Sequence, residues 1–254
     1  MKHYFAFLKK EFMESARTYK LMILLLLFFV TGVMNPLTAK LTPDLLRQFM
    51  PEDMILNIPA PTALDSWAQF FKNTTQLGIV VMVIVFSGIL GQELAKGTLI
   101  NLLTKGLSRK TVILAKFTYM ALLWTTCLIM SFLVSWGYTV YLFPDGKTAH
   151  LLYSVFCVWL FGIFVLALLL LGAALVNNSY GTLLITGAGM VICMIINIVP
   201  KAYRFNPFSL ASKNMDLLTK TIAVSSLYNV TLVTAVLTVG FVGLAVVIFK
   251  KRNL

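Results

Sequence analysis

Apolar residues come in long blocks along this chain, and charges collect between the blocks. Six blocks stand out, at about 20–36, 68–91, 111–142, 151–176, 181–199 and 228–249. A helix needs about 20 apolar residues to cross a bilayer. The first block, LMILLLLFFVTGVM, is short unless its flanks join it, and the third is long enough to tilt. The blocks are continuously apolar rather than alternating, which favours helices over a strand barrel. The pattern predicts an all-α integral membrane protein, a single domain over 1–254 with six transmembrane helices.

The segments between blocks carry finer patterns. Within 1–19, Tyr4, Phe5, Leu8, Phe12, Ala16 and Tyr19 fall at helical spacing on one face, with Lys10, Glu14 and Arg17 on another. This predicts an N-terminal amphipathic helix lying in the membrane interface. Thr42-Pro43-Asp44 reads as an N-cap, a first-turn proline and a dipole-compensating acid, so a short outer helix is expected to start there. Residues 200–227 mix apolar and polar positions, with Pro200 and Pro207 as breakers. Short outer helices are expected there, between spans five and six.

The stretch GQELAKGTLINLLTKGLSRKTVILAKF, Gly91 to Phe117, separates blocks two and three. Its charge density is costly in hydrocarbon. Placed on one helix over about 93–106, Gly97, Asn101, Thr104, Lys105 and Ser108 share one side, and Ala95, Leu99, Leu102 and Leu103 the other. Gly106 is placed to end that helix in a left-handed turn, and Ser108 to cap the next. The result is a short amphipathic helix whose polar face looks into the cytosol, where another protein can dock.

Composition agrees with the pattern. The chain is 59% hydrophobic and 12% charged, where soluble domains average about 25% charged. The net charge of +12 would suggest nucleic acid in a soluble protein. Here the basic residues sit at block ends, so they set topology and touch lipid headgroups. An even number of spans puts both termini on one side. That side carries twelve Lys and Arg in its loops and tails against eight on the other, which predicts a multi-pass protein with cytoplasmic termini.

Candidate chemistry is sparse. Cys127, Cys157 and Cys193 lie inside apolar blocks, without metal-site or disulfide spacing. Gly146-Lys147-Thr148 lacks the leading glycine of a phosphate loop, since Tyr141 stands at that position. His3 and His150 are far apart, and neither an HExxH nor a GxSxG motif occurs. No catalytic, cofactor-binding or metal residue is expected, and energy must come from a partner or an ion gradient. No ionisable residue marks a span midplane, which weighs against ion-driven transport. Glu93, at a span end, keeps a secondary transporter or channel as the alternative. Lys116 is expected to snorkel.

Glu93, Gly97-Thr98, Leu102-Leu103, Leu107-Ser108-Arg109 and Lys116-Phe117 resemble the permease signature of type-2 ABC exporters. The amphipathic N-terminal helix, the six spans and Asn206-Pro207 fit that family's layout. Leu94 and Ala95 depart from it, because further charges often follow the family's acidic residue. The resemblance implies a pair of permeases, identical or different, working with two copies of a cytosolic ABC subunit that binds ATP and Mg. It makes 93–106 the coupling helix and sets the N-terminal helix, with Phe5, Leu8, Phe12 and Arg17, beside the ATPase. Gly97, Thr98, Asn101, Thr104 and Lys105 would face the ATPase. Glu93 would cap the helix start or pair with Arg109 or Lys116, while Ser108 and Arg109 would form the following turn. The implied activity is export of an amphipathic or hydrophobic cargo, such as a peptide, antibiotic or lipid, across a bacterial cell membrane.

Overall fold

The structure, a computed structural model, describes residues 2–49, 60–104, 106–144, 148–176, 178–199 and 202–252. All regular elements among them are helical, and six helices are long and apolar enough to cross a membrane. Helix α1 (Lys2–Arg17) ends at a turn where Tyr19 takes a positive φ of 58°. The chain then enters α2 (Lys20–Phe49), the first span.

Helix α2 runs unbroken through Pro36 and Pro43. The expected outer helix starting at Thr42 is therefore absent, and Thr42 is interior rather than a cap. A proline's φ is already helical, and what it removes is one donor. The Thr42 hydroxyl bonds back to the Thr38 carbonyl at 2.6 Å instead. This extension also resolves the shortness of the first apolar block.

Span two begins at α3 (Ala63–Asn73), where the Asp65 carboxylate accepts the Thr62 N–H at 2.8 Å. It continues through a π-helical turn, Thr74–Gly78, into α4 (Ile79–Phe86). After a turn come two short helices, α5 (Gly91–Ala95) and α6 (Thr98–Thr104). Spans three, four and five are α7 (Arg109–Leu142), α8 (Leu151–Leu175) and α9 (Ser179–Ile198). Two helical turns follow, α10 (Ser209–Ser212) and α11 (Asn214–Leu218), which bury Leu210, Leu217 and Leu218 against span four. Span six is α12 (Tyr228–Lys251).

Span four is the most buried of the six and span five the least. Close packing depends on small residues, as expected where lipid removes the hydrophobic drive between helices. Gly162 lies under the Trp124 indole, where a Cβ would come within 2.3 Å of the ring. Each of two indoles also finds an acceptor across spans three and four: Trp124 donates to the Trp159 carbonyl at 3.0 Å, and Trp159 to the Thr125 hydroxyl at 2.8 Å. Phe28, Phe86, Trp124, Phe161 and Phe164 are thus packing residues of the core. Spans one, two and three are stitched by polar groups. Ser135 donates to the Gly32 carbonyl and accepts from Asn35, whose carbonyl oxygen accepts from Asn73 at 2.7 Å.

Candidate functional site

The two chain ends and the stretch between spans two and three meet at one end of the bundle. Helix α1 lies against spans one and three there. Its buried face is Phe7, Glu11 and Ser15, with Leu8 and Phe12 half-buried. Phe5 is 63% exposed and Arg17 is exposed, so both point away from the bundle.

Five charged side chains converge beneath this helix. Lys116, in span three, is 1% exposed, and Glu11 and Glu93 are 6% and 7% exposed. The Lys116 ammonium donates to Glu11 Oε1 at 2.9 Å and lies 2.9 Å from Glu93 Oε2. The second contact is a charge pair rather than a well-directed hydrogen bond. Lys10 joins the opposite oxygen of Glu93, and also reaches Glu14 at 2.6 Å and Glu11 at 3.2 Å. Burial alone would lower the Lys10 pKa, but hydrogen bonds to Glu14 and Glu93, with the nearby Glu11 charge, raise it above its ordinary 10.5. Oxygens of Glu11, Glu14 and Glu93 lie within 4.8 Å of one another, close enough to hold a cation. Two ammoniums supply that positive charge. Three carboxylates against two ammoniums leave the set near −1.

Lys116 therefore does not snorkel. It lies seven residues into span three, about 10 Å from the helix start, and its charge is matched by carboxylates from two other elements. Of the two partners considered for Glu93, Lys116 is the one it meets. Arg109 is used differently. Its guanidinium donates to the carbonyls of Phe249 at 3.2 Å, Lys250 at 3.1 Å and Arg252. These are end carbonyls of span six, where a cation satisfies unpaired acceptors and the helix dipole. Arg252 in turn donates to the Ala174 carbonyl, at the end of span four, at 3.3 Å.

The single helix expected over 93–106 is two helices with a turn between them. Gly97 takes φ +69°, a left-handed conformation that ends α5 and reorients the chain into α6. The Thr98 hydroxyl then donates to the Glu93 carbonyl at 3.2 Å, closing the turn. This gives the Glu-x-x-x-Gly-Thr spacing a local physical reason. Gly106 takes φ +93° and follows α6, and the Ser108 hydroxyl accepts the Thr111 N–H at 3.1 Å to cap span three. Leu99 is fully buried and Leu102 and Leu103 are half-buried, while Thr98, Asn101 and Thr104 are exposed. Ala95, expected on the apolar side, is exposed because the turn at Gly97 breaks the helical phase. Lys105 lies outside the described residues.

Glu11 escapes the sequence reading, which places Lys10 only on the polar face of the N-terminal helix. Glu11 occupies the centre of the buried face of α1, where a hydrophobicity pattern scores it as an outward residue. Its spacing of one turn from Phe7 and Ser15 was the available signal.

The bundle, the docked N-terminal helix and the split helix pair define a multi-pass membrane protein of the permease type. The description of the ABC-2 family transporter proteins matches residues 5–254, so the chain belongs to that family and is a membrane component of an ABC transporter. It is also similar to an uncharacterized transmembrane protein, YxlG, of Bacillus subtilis (strain 168). The two are 21% identical over 215 residues, which span 82% of this chain and 81% of the relative.

Proposed function

We propose that this chain is the permease half of an ATP-driven exporter in a bacterial cell membrane, with both termini cytoplasmic. A separate ABC subunit, in two copies, binds ATP and Mg, and a second permease, identical or different, completes the transmembrane pathway. The cargo is amphipathic or hydrophobic, in keeping with the apolar interior.

The observation that carries this reading is the α5–α6 pair. Helix α6 exposes Thr98, Asn101 and Thr104, while α5 is fixed from behind by the Glu93 ion pairs to Lys10 and Lys116. A helix held this way passes a push on its exposed edge to α1 and span three together. ATP closing the partner's dimer supplies such a push, and the spans respond as a two-state element. The alternative of ion-driven transport loses support at the same place. Glu93, its candidate carboxylate, is paired with two lysines near a span end rather than free at a midplane.

The test is co-purification with the candidate ATP-binding subunit, wild type against an Asn101→Glu/Thr104→Glu double variant. The wild-type pair should co-purify and hydrolyse ATP. The double variant, still folded because both positions are exposed, should dissociate or lose coupling. A well-folded wild-type chain that recruits no ATPase would overturn the reading.

A further inference from the structure

Spans two, four and five and the short helices α10 and α11 enclose a half-open cavity of about 720 Å³, which runs along span two from Ala68 to Ile84. Its walls are mostly apolar, with Val83, Met190, Met194 and Met215 among them. Lys72, Thr75, Gln76, Thr186, Ser212 and Asn214 interrupt that lining. Lys72 brings an ammonium with no carboxylate partner among the described residues. The Thr75 hydroxyl is buried and unpartnered, and so is Asn214 Oδ1, on a side chain only 2% exposed. Asn214 spends its amide nitrogen on the Ala211 carbonyl, and its oxygen, like the Thr75 hydroxyl, lies behind the lining rather than open to the cavity.

The backbone is also irregular here. Thr75 and Gln76 belong to the π-helical turn Thr74–Gly78, and both line the cavity. Such turns inside α-helices are frequent at functional sites. Irregular backbone at membrane depth is tolerated where it lines a cavity.

We propose that this cavity binds one anionic, single-chain amphiphile. The anion answers Lys72, whose side chain lines the cavity and is exposed. The chain lies along the methionines, side chains that adapt to varied apolar shapes. Size agrees. At about 30 Å³ for each water-sized group, the volume holds about 24 heavy atoms, the acyl chain and glycerol backbone of a single-chain lipid with its phosphate head left at the open side, whereas a two-chain lipid has about twice as many. The volume also falls within the range of about 300–1,000 Å³ that takes a whole small ligand. The inference deepens the proposed function by giving the cargo a chemistry, and it rests on that reading for the cargo role though not for the binding.

The probe is 1-oleoyl-lysophosphatidylglycerol, with 1-oleoyl-lysophosphatidylcholine, zwitterionic and without net charge, as the comparison. Adducts are counted by native mass spectrometry of the full chain released from phosphatidylcholine nanodiscs. The anionic probe should be retained about tenfold better than the zwitterionic one. Lys72→Gln should erase that preference, and Lys72→Arg should keep it. Gly187 lines the cavity and has nothing within 4 Å of a built Cβ. Gly187→Phe should therefore project a ring into the cavity from an unhindered Cβ and cut retention of the anionic probe, at an unchanged melting temperature. Retention indifferent to head-group charge, or unchanged by Gly187→Phe, overturns the site. So does crosslinking of a Gly187→Cys/Cys193→Ser chain to a second copy, because that copy would then occupy the cavity.

A second arm reconstitutes the chain with its ATP-binding subunit. The probe should stimulate ATP hydrolysis at least twofold in wild type and not in Gly187→Phe. Binding without stimulation overturns the cargo role and leaves a resident lipid. A complex with no ATPase activity at all overturns the permease reading, while the binding arm still judges the cavity.

Discussion

Glu93 and Lys116 are affordable in the bundle only as members of a set. Each buried charge loses its hydration, and the loss is offset when every neighbour is in place. Removing one member leaves another exposed to the full desolvation cost. Glu93→Gln leaves Lys116 with Glu11 alone and detaches Lys10 from span two. The expected loss is about 3 kcal/mol, the lower end for breaking a buried pair, read as a lower melting temperature in detergent. Adding Lys116→Met should recover part of it, because the stranded cation goes too. An unchanged melting temperature for Glu93→Gln would show the cluster to be a crowded surface and nothing more. Protonation adds a sign. The Lys10 pKa is raised on folding, so its contribution is fully present below its ordinary 10.5 and is lost as pH rises through the folded value. Lys10 therefore gives no pH dependence to stability across the physiological range. Ser15 and Tyr119 make a contrast beside the same cluster: their hydroxyls are buried with only each other within reach, and neither forms a well-directed hydrogen bond. An unpaired buried hydroxyl carries a desolvation cost with no return.

At the scale of elements, what the sequence discloses depends on whether one physical term dominates. The six spans are legible because twenty apolar residues in a row outweigh every other preference. The caps at Ser108 and the turn at Gly106 are legible because each has a local geometric cause. The phase of α1 is not, because its inner face mixes Phe7 with Glu11 and Ser15. Only the partners on spans two and three explain why a carboxylate belongs inside. The unbroken path of α2 past Pro43 is hidden for a similar reason, since Thr-Pro-Asp fits a helix start as well as a helix interior. The split at Gly97 has a single sequence sign, the glycine itself. Gly97→Ala tests that split. No atom lies within 4 Å of the added Cβ, so the change acts only through the left-handed φ of +69°. Strain of about 1 kcal/mol is expected, too little to unfold the bundle and enough to reorient α6. Co-purification with an ATP-binding subunit should weaken while the melting temperature falls only slightly. Binding equal to wild type would mean that α6 needs no fixed direction to act.

The whole molecule is asymmetric from end to end, and that asymmetry carries its orientation. The end with the termini holds the ion cluster, the α5–α6 pair and the arginine clasp that ties spans three, four and six. The opposite end holds a neutral polar knot around Asn206, whose amide donates to the Cys193 carbonyl at 2.6 Å and fixes the short helices to span five. Twelve Lys and Arg lie in the loops and tails of the first end against eight at the second. Because Lys and Arg near span ends are retained in the cytoplasm, the first end should be cytoplasmic. A membrane-impermeant maleimide on intact cells separates the two orientations. In a Cys193→Ser background the remaining cysteines, Cys127 and Cys157, are buried. Thr221→Cys, exposed beside the short helices, should label in intact cells. Asn101→Cys, exposed on α6, should label only after the membrane is opened. The reverse pattern would turn α6 away from every cytosolic ATPase and would remove the exporter reading together with the orientation, since one surface supports both.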